Sequence, residues 1–340
     1  MNNIYRNTLR RDFLLRHQWG NAEILPLQPD ASFRQYLRLR QGDKTAMLMD
    51  APPPMENAEA FVTITRHLEE IGVRVPHIHA TDIDSGFLLL EDLGDQTFTR
   101  LLASGHDEPA LYRQAIDILS HINQHSSAAD ITLPEYNFDL ALAEANLMLD
   151  WYLPARQLRP VEADARTAFA RAWKEIFAAF PSLENTLVLR DYHVDNLMLK
   201  GKVCVLLDYQ DAVIGSPAYD LASLLEDARR DISRSLVDDM IQLYLSHNSE
   251  IDRHSLHQHY MVWAAQRHCK VAGIFVRLWL RDGKDSYLQH LPRVMQLLQR
   301  HLHQPALKPL RCWLSEYLGE LNHLPFSAPP EKLVDYCTTT

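Results

Sequence analysis

Between residues 187 and 212 the chain reads LVLRDYHVDNLMLKGKVCVLLDYQDA. Asp191 ends a hydrophobic run, Asn196 lies five residues later, and Lys200-Gly201-Lys202 marks a turn. Asn196 is five residues before Gly201 and Asp208 seven after it, so a hairpin puts both at its open end, beside the loop that carries Asp191. Two carboxylates and one amide then converge. Phosphoryl transfer uses that set: charge on the transferring group is neutralised by magnesium, whose hard ligands are oxygens of Asp and Asn. A separate carboxylate orients the attacking hydroxyl and takes its proton. On this reading Asp191 is the base, and Asn196 and Asp208 hold the metal.

Asp and Asn also form turns, and an Asp-x4-Asn pair alone arises often by chance. The order strand, Asp loop, hairpin, Asp carries the reading. His193-Val194-Asp195 is a competing H-x-D, but a base at Asp195 would need Asn at position 200, where Lys200 stands. Asp211, three residues after Asp208, either supports the metal ligands or lies in solvent.

These residues need a scaffold. FRQYLRLR (33–40) and TAMLM (45–49) read as two strands around a Gln41-Gly42-Asp43 turn. A helix is expected over Glu56–Ile71, with Phe61, Ile64, Leu68 and Ile71 on one face and Gly72 as its stop. Further strands are expected at Ile78–Ala80 and at FLLLE, 87–91. Helical periodicity then takes over, at Leu111–Ile122 and Leu291–Leu302. The expected fold class is α+β, with a small β-rich N-terminal lobe (1–93) and a larger, mainly helical C-terminal lobe (94–340) that carries the hairpin.

Composition narrows the chemistry. Of 340 residues, 46% are hydrophobic and 23% charged, with a net charge of −10. That acidic balance disfavours nucleic acid, whose binding rests on Lys and Arg. There are 11 glycines, no two closer than eight residues, so neither a Walker A loop nor a dinucleotide fingerprint can be written. Cys204, Cys269, Cys312 and Cys337 are far apart, which fits a reduced cytoplasmic setting. The first residues, MNNIYRNTLRRDFLLRHQW, lack the apolar stretch of a signal peptide, and no run is long enough to span a membrane.

The Asp-x4-Asn…Asp pattern resembles the catalytic and metal loops of protein kinases and their small-molecule relatives. Over most of its length the chain is similar to the aminoglycoside phosphotransferase family, which has a bilobal protein-kinase-like fold. FLLLEDLGD (87–95) resembles the interlobe hinge, LRDYHVDN the catalytic loop and LLDYQDA the metal loop. With GSPAYDLASLLEDARRD (215–231) and RLWLRDGKDSYLQHLPRV (277–294), the chain further resembles the anomeric N-acetylmuramate/N-acetylglucosamine kinases of bacterial cell-wall recycling. The resemblance implies transfer of phosphate from ATP, with Mg2+, to the C1 hydroxyl of an amino sugar. A functional link to a sugar-1-phosphate nucleotidyltransferase would follow. It places adenine against the backbone of Glu91, Asp92 and Leu93, and the phosphates around Ser32, Phe33 and Arg34. Asp220 would hold the catalytic loop by hydrogen bonds; the alternative is a helix N-cap.

Two departures stand out. Leu189-Arg190 replaces the His-Gly that many members carry before the catalytic Asp, and Met49 fills the slot of the lysine that grips the α/β-phosphates. Arg34 is the expected substitute, ahead of Lys44, Arg38 and Arg40. An antibiotic or other small-molecule kinase of the same fold, and a catalytically dead nucleotide-binding module, are the competing functions. The 17 histidines form no known metal motif. Trp263, Phe275 and Trp279 read as core. Arg267, Lys270, Arg277 and Arg281 read as a solvated basic helix face, with a carboxylate-binding role as the alternative.

Overall fold

A computed structural model describes residues 3–27, 34–181, 183–319 and 325–337. In chain order the strands are β1 (Glu23–Pro26), β2 (Gln35–Gln41), β3 (Lys44–Asp50), β4 (Ile78–Asp82) and β5 (Phe87–Leu90), then β6 (Thr186–Val188), β7 (Leu197–Lys200), β8 (Val203–Leu206) and β9 (Val213–Gly215). The helices begin with α1 (Asn3–Arg16), α2 (Ala58–Glu70), α3 (Phe98–Ala103), α4 (Glu108–Gln124), α5 (Phe138–Ala145), α6 (Leu153–Gln157) and α7 (Ala163–Ala178). They continue with α8 (Ala218–Leu225), α9 (Arg234–His247), α10 (Arg253–Asp282), α11 (Leu291–His301), α12 (Lys308–Tyr317) and α13 (Pro330–Leu333). The chain divides into two compact units, 1–118 with 194–212, and 119–193 with 213–340. The first half of α4 belongs to one and its last turns to the other.

The first unit is built on an antiparallel sheet of order β1-β2-β3-β5-β4. Leu37 and Leu39 alternate with Arg38 and Arg40 on β2, Ala46 and Leu48 share one face of β3, and these four are buried with Phe13 and Leu14 of α1. Each large apolar side chain so covered contributes roughly 1.5–3 kcal/mol. All four residues of β5 are buried, as expected of a strand with neighbours on both sides. The N-terminal residues, expected only to lack an apolar leader, form α1. Its charged face is used: Arg6 Nε donates to Asp50 Oδ1 at 2.8 Å, and the guanidinium lies 3.9 Å from the Phe87 ring centre. The Asn57 side chain accepts from the Ala60 N–H at 3.1 Å and caps α2, which buries Phe61, Ile64 and Leu68 as the spacing requires.

The β7–β8 hairpin belongs to this unit. Leu206 N–H donates to the Arg74 carbonyl at 3.0 Å and Leu199 N–H to that of Gln96 at 2.9 Å. Leu93, Met198 and Val205 are buried together, with Leu207 packed against them.

The second unit is helical apart from the β6–β9 pair. Its core forms around α10, whose 30 residues start at the Asp252 cap and stop at Gly283, φ +68°. A π-helical turn at Met148–Tyr152 packs on α10. Gly273 makes that approach possible: a Cβ there would stand 2.2 Å from the Leu147 carbonyl carbon and oxygen. Trp263 and Phe275 are buried, as expected of core residues. Among the described residues no helix is long and apolar enough to cross a membrane.

Candidate active site

In the first unit, pairing of Leu197 with Leu206 sets Asn196 beside the exit of β8, and Leu207 N–H donates to the Asn196 carbonyl at 2.9 Å. The next residue, Asp208, has φ +59°, a left-handed conformation that Asp tolerates at some cost and that concentrates at functional positions. Its anchor is Tyr209, whose hydroxyl lies 2.8 Å from Thr65 Oγ1 and whose ring stacks on Phe61 at 5.3 Å, both on α2. Gln210 Nε2 donates to Asp208 Oδ1 at 3.0 Å and to Asp211 Oδ2 at 3.2 Å. Asn196 Nδ2 donates to Asp208 Oδ2 at 3.4 Å, so the amide turns its donor, rather than its oxygen, toward the carboxylate. A carboxylate and an amide oxygen, with a second carboxylate close by, are the donor set of a hard divalent cation.

Arg34 lies in the same unit. Its Nη2 sits 3.2 Å from Glu56 Oε2, with its side chain 9% exposed. Burial works against its charge, but Tyr36, Glu56 and Asp208 outweigh burial and raise its pKa. The other candidate cations are engaged or exposed. Arg38 bonds Asp92, Asp95 and the Gly94 carbonyl, Arg40 pairs with Glu23 at 2.7 Å, and Lys44 is exposed. Met49 is buried. Ser32 and Phe33 lie outside the described residues.

Asp191 belongs to the second unit, and its loop is held from behind. Asp220 Oδ2 accepts the Leu189 N–H at 2.6 Å, and Oδ1 accepts the Arg190 N–H at 2.9 Å. Of the two roles considered for Asp220, loop holding is the one present, since the cap position of α8 is Pro217. Burial pushes Asp220 up to about 7, against the pull of the two N–H donors. Arg190 has φ +69°, a conformation unusual for a bulky residue and kept only when several contacts enforce it. Its guanidinium pairs with Glu144, and its carbonyl accepts from Ser223 Oγ at 3.4 Å.

Glu144 is buried at the end of α5 and also takes Lys270 Nζ at 2.8 Å and the Tyr136 hydroxyl. Burial opposes its ionisation, but Lys270 and Arg190 prevail and lower its pKa. Asp191 behaves alike: burial opposes, while Lys270, Arg267, His193 and Arg190 hold the carboxyl below its usual range. The expected solvated face is therefore corrected for two residues. Arg267 and Lys270 are 7% and 6% exposed, because α10 runs through the core instead of along the surface. Arg277 is half-buried, and Arg281 is exposed and bonded to Asp282 at 2.7 Å.

Comparison with known proteins fits this geometry. The sequence model of the phosphotransferase enzyme family matches residues 23–258. The chain belongs to that family. An N-acetylmuramate/N-acetylglucosamine kinase of Pseudomonas aeruginosa is 35% identical over 94% of this chain and 95% of its own length. One of Caulobacter vibrioides is 32% identical over 92% and 97%. Solved structures share the fold. A choline/ethanolamine kinase family protein from Mesorhizobium loti aligns with a TM-score of 0.62 at 13% identity, over 90% of this chain and 99% of that one. A thermostable mutant of the aminoglycoside phosphotransferase APH(4)-Ia, in ternary complex with ADP and hygromycin B, aligns at 0.58 and 11% identity, over 85% and 97%. The fold class is that of the protein-kinase-like phosphotransferases.

In this phosphotransferase the expected hinge is partly occupied by its own bonds. Glu91 N–H donates to the His77 carbonyl at 2.8 Å and Lys200 Nζ to the Asp92 carbonyl at 2.9 Å. The Glu91 carboxylate takes Arg74 Nη2 at 2.6 Å, and Leu93 is buried. Asp195, the alternative base, bonds Thr99 Oγ1 on α3. His193 is buried, and burial lowers its pKa.

Sequence reasoning missed Glu144 and Asp227, which no local pattern marks. It also missed Glu226, which accepts from His268 Nε2 at 2.7 Å and from His301 Nε2 at 2.7 Å; the three could together hold a metal ion. Burial opposes ionisation of Glu226, but the two imidazole donors overcome it and hold the carboxyl far below its ordinary value. An ionised carboxylate only accepts, so each ring presents Nε2–H.

Proposed function

We propose that this phosphotransferase is an ATP- and Mg2+-dependent sugar kinase that phosphorylates the anomeric C1 hydroxyl of N-acetylmuramate and N-acetylglucosamine. The observation that carries the reading is its near end-to-end similarity to relatives named for those two sugars. The ADP in a fold relative supports the nucleotide. The functional division proposed is a nucleotide-binding lobe, 1–93, and a catalytic and sugar-binding lobe, 94–340.

Each residue's part follows from its surroundings. Asp191, ionised because cations outweigh its burial, accepts the hydrogen bond of the C1 hydroxyl, aims its oxygen and takes the proton as that oxygen bonds the γ-phosphorus of ATP and the γ-phosphorus–bridging-oxygen bond breaks to release ADP. Asn196 and Asp208 would hold magnesium, which supplies charge neutralisation at the phosphate oxygens. Arg34, oriented by Glu56 and next to Ser32 and Phe33 in sequence, replaces the lysine absent at Met49 as the phosphate-gripping cation. Because the Glu91 N–H and Asp92 carbonyl are engaged, adenine would use the Glu91 carbonyl and the Leu93 N–H. Pathway and compartment follow from the product: a sugar 1-phosphate made in the cytoplasm is the substrate class of a nucleotidyltransferase.

The test is incubation with Mg-ATP and a panel of amino sugars, aminoglycosides and choline, with products located by phosphorus NMR. A C1-phosphate of N-acetylmuramate or N-acetylglucosamine is expected. Phosphate on another acceptor alone, or no turnover, contradicts the reading.

A further inference from the structure

Arg267 is 93% shielded, being 7% exposed, yet its guanidinium makes no hydrogen bond or ion pair with any described residue. Desolvating an arginine without a partner is expensive. Asp227 presents the complementary vacancy. It is 2% exposed, its Oδ1 accepts the Arg229 N–H at 2.8 Å, and its Oδ2 has no hydrogen-bond partner. Glu226, next to Asp227, accepts from His268, next to Arg267, at 2.7 Å, which brings the two stretches together, and the charges of Asp227 and Asp191 both act on Arg267. All three residues are in the same unit. Trp263, one turn before Arg267 on α10, has an indole N–H that is also unpaired.

What fills the gap follows from its open donors and acceptors. Lys270 and Arg190 are committed to Glu144 and Arg229 Nη1 lies 3.9 Å from Asp227 Oδ1, which leaves the Arg267 guanidinium as donor and Asp227 Oδ2 as acceptor. A neutral polyol fits, because one of its hydroxyl oxygens can accept from a guanidinium while a neighbouring hydroxyl donates to a carboxylate.

We infer that Arg267 and Asp227 bind the acceptor sugar, Arg267 donating to a ring-substituent oxygen and Asp227 Oδ2 accepting from an adjacent hydroxyl. The inference rests on the sugar-kinase reading and deepens it. The pair reads oxygens common to both amino sugars rather than the lactyl carboxylate that only N-acetylmuramate carries.

Steady-state kinetics of Asp227→Asn and Arg267→Met with each sugar and with ATP test this, alongside thermal melting. The expected result is a KM for both sugars raised by a similar factor, roughly tenfold to hundredfold for one charge-assisted hydrogen bond, with the KM for ATP unchanged. Asp227→Asn keeps the acceptor for the Arg229 N–H but loses the charge that faces Arg229 and Arg267, so its melting temperature should fall modestly. Where Arg267→Met melts below the wild type, Asp227→Asn carries the test. Unchanged sugar KM values overturn the inference, as does a loss confined to N-acetylmuramate or a lowered melting temperature with sugar KM unmoved. If the wild type phosphorylates neither sugar, the sugar-kinase reading itself falls; if it turns over and the variants match it, only the Arg267–Asp227 pair does.

Discussion

Asp208 and Asp191 are carboxylates dressed in opposite ways. Around Asp208 the neighbours are an amide from Asn196, an amide from Gln210 and the carboxylate of Asp211, with Arg34 acting from a distance. Around Asp191 the field is cationic, chiefly from Lys270 and Arg267, with Arg190 also contributing. A corner that gathers carboxylate and amide oxygens suits a divalent metal. A carboxylate already surrounded by fixed positive charge has little to gain from one and is suited to orienting a hydroxyl. On the proposed assignment two like groups would take two roles from their surroundings, as differing environments separate acid–base partners elsewhere.

The contrast can be broken first at Lys270. Lys270→Met leaves Glu144 buried with one cation fewer and should cost about 3–5 kcal/mol, the usual loss when one partner of a buried ion pair is removed. Chemical denaturation measures it. In the same variant Asp191 loses its largest stabilising charge, so the acidic limb of the rate profile should move to higher pH. An unmoved limb would separate Lys270 from Asp191.

Acid should weaken the second unit at the Glu226 cluster. Glu226 is depressed from its ordinary 4.5, so its contribution is present above that value and is lost as pH falls toward the folded value. His268 is depressed from 6.5, mainly by burial; the unfolded ring takes a proton below 6.5 that the folded ring refuses. Both act with the same sign. Denaturation midpoints should fall steadily from pH 7 to pH 4, and His268→Gln should flatten the upper part of that slope.

The smallest effect is expected on the Asp208 side. Thr65→Val removes the hydroxyl that meets Tyr209 and should cost about 1 kcal/mol, with a modest rise in the magnesium needed for half-maximal rate. A normal magnesium requirement would show that Asp208 is set by its left-handed backbone alone.

What the sequence disclosed follows the range of the interactions. Asp191, Asn196 and Asp208 stood out as candidates because a strand, a turn and a hairpin hold them within 18 residues of one another, and local spacing encodes that. Strands β2 to β5 of the sheet and α2 were legible from periodicity for the same reason, while the four-residue β1 was not. Glu144, Asp227 and the buried state of Arg267 and Lys270 were not, since they depend on α5, α8 and α10 meeting in space. A basic helix face looks identical in sequence whether it meets water or buried carboxylates. The signal that could have marked it was density of apolar residues: Tyr260–Ala265 and Val271–Phe275 flank the two cations with little polar surface to spare. Helix α1 escaped because its charged residues hid the two apolar positions, Phe13 and Leu14, that anchor it.

The most direct test of the division between base and metal ligand is a magnesium titration of transfer rate in wild type, Asp191→Asn and Asp208→Asn, at saturating ATP and sugar. Asp191→Asn should lose on the order of 10²–10⁴ in rate, the usual contribution of a positioned base, with its residual activity half-saturating at the wild-type magnesium concentration. Asp208→Asn should lose at least as much and shift half-saturation to higher magnesium. Equal shifts in the two variants, or full rate in Asp191→Asn, would contradict the assignment.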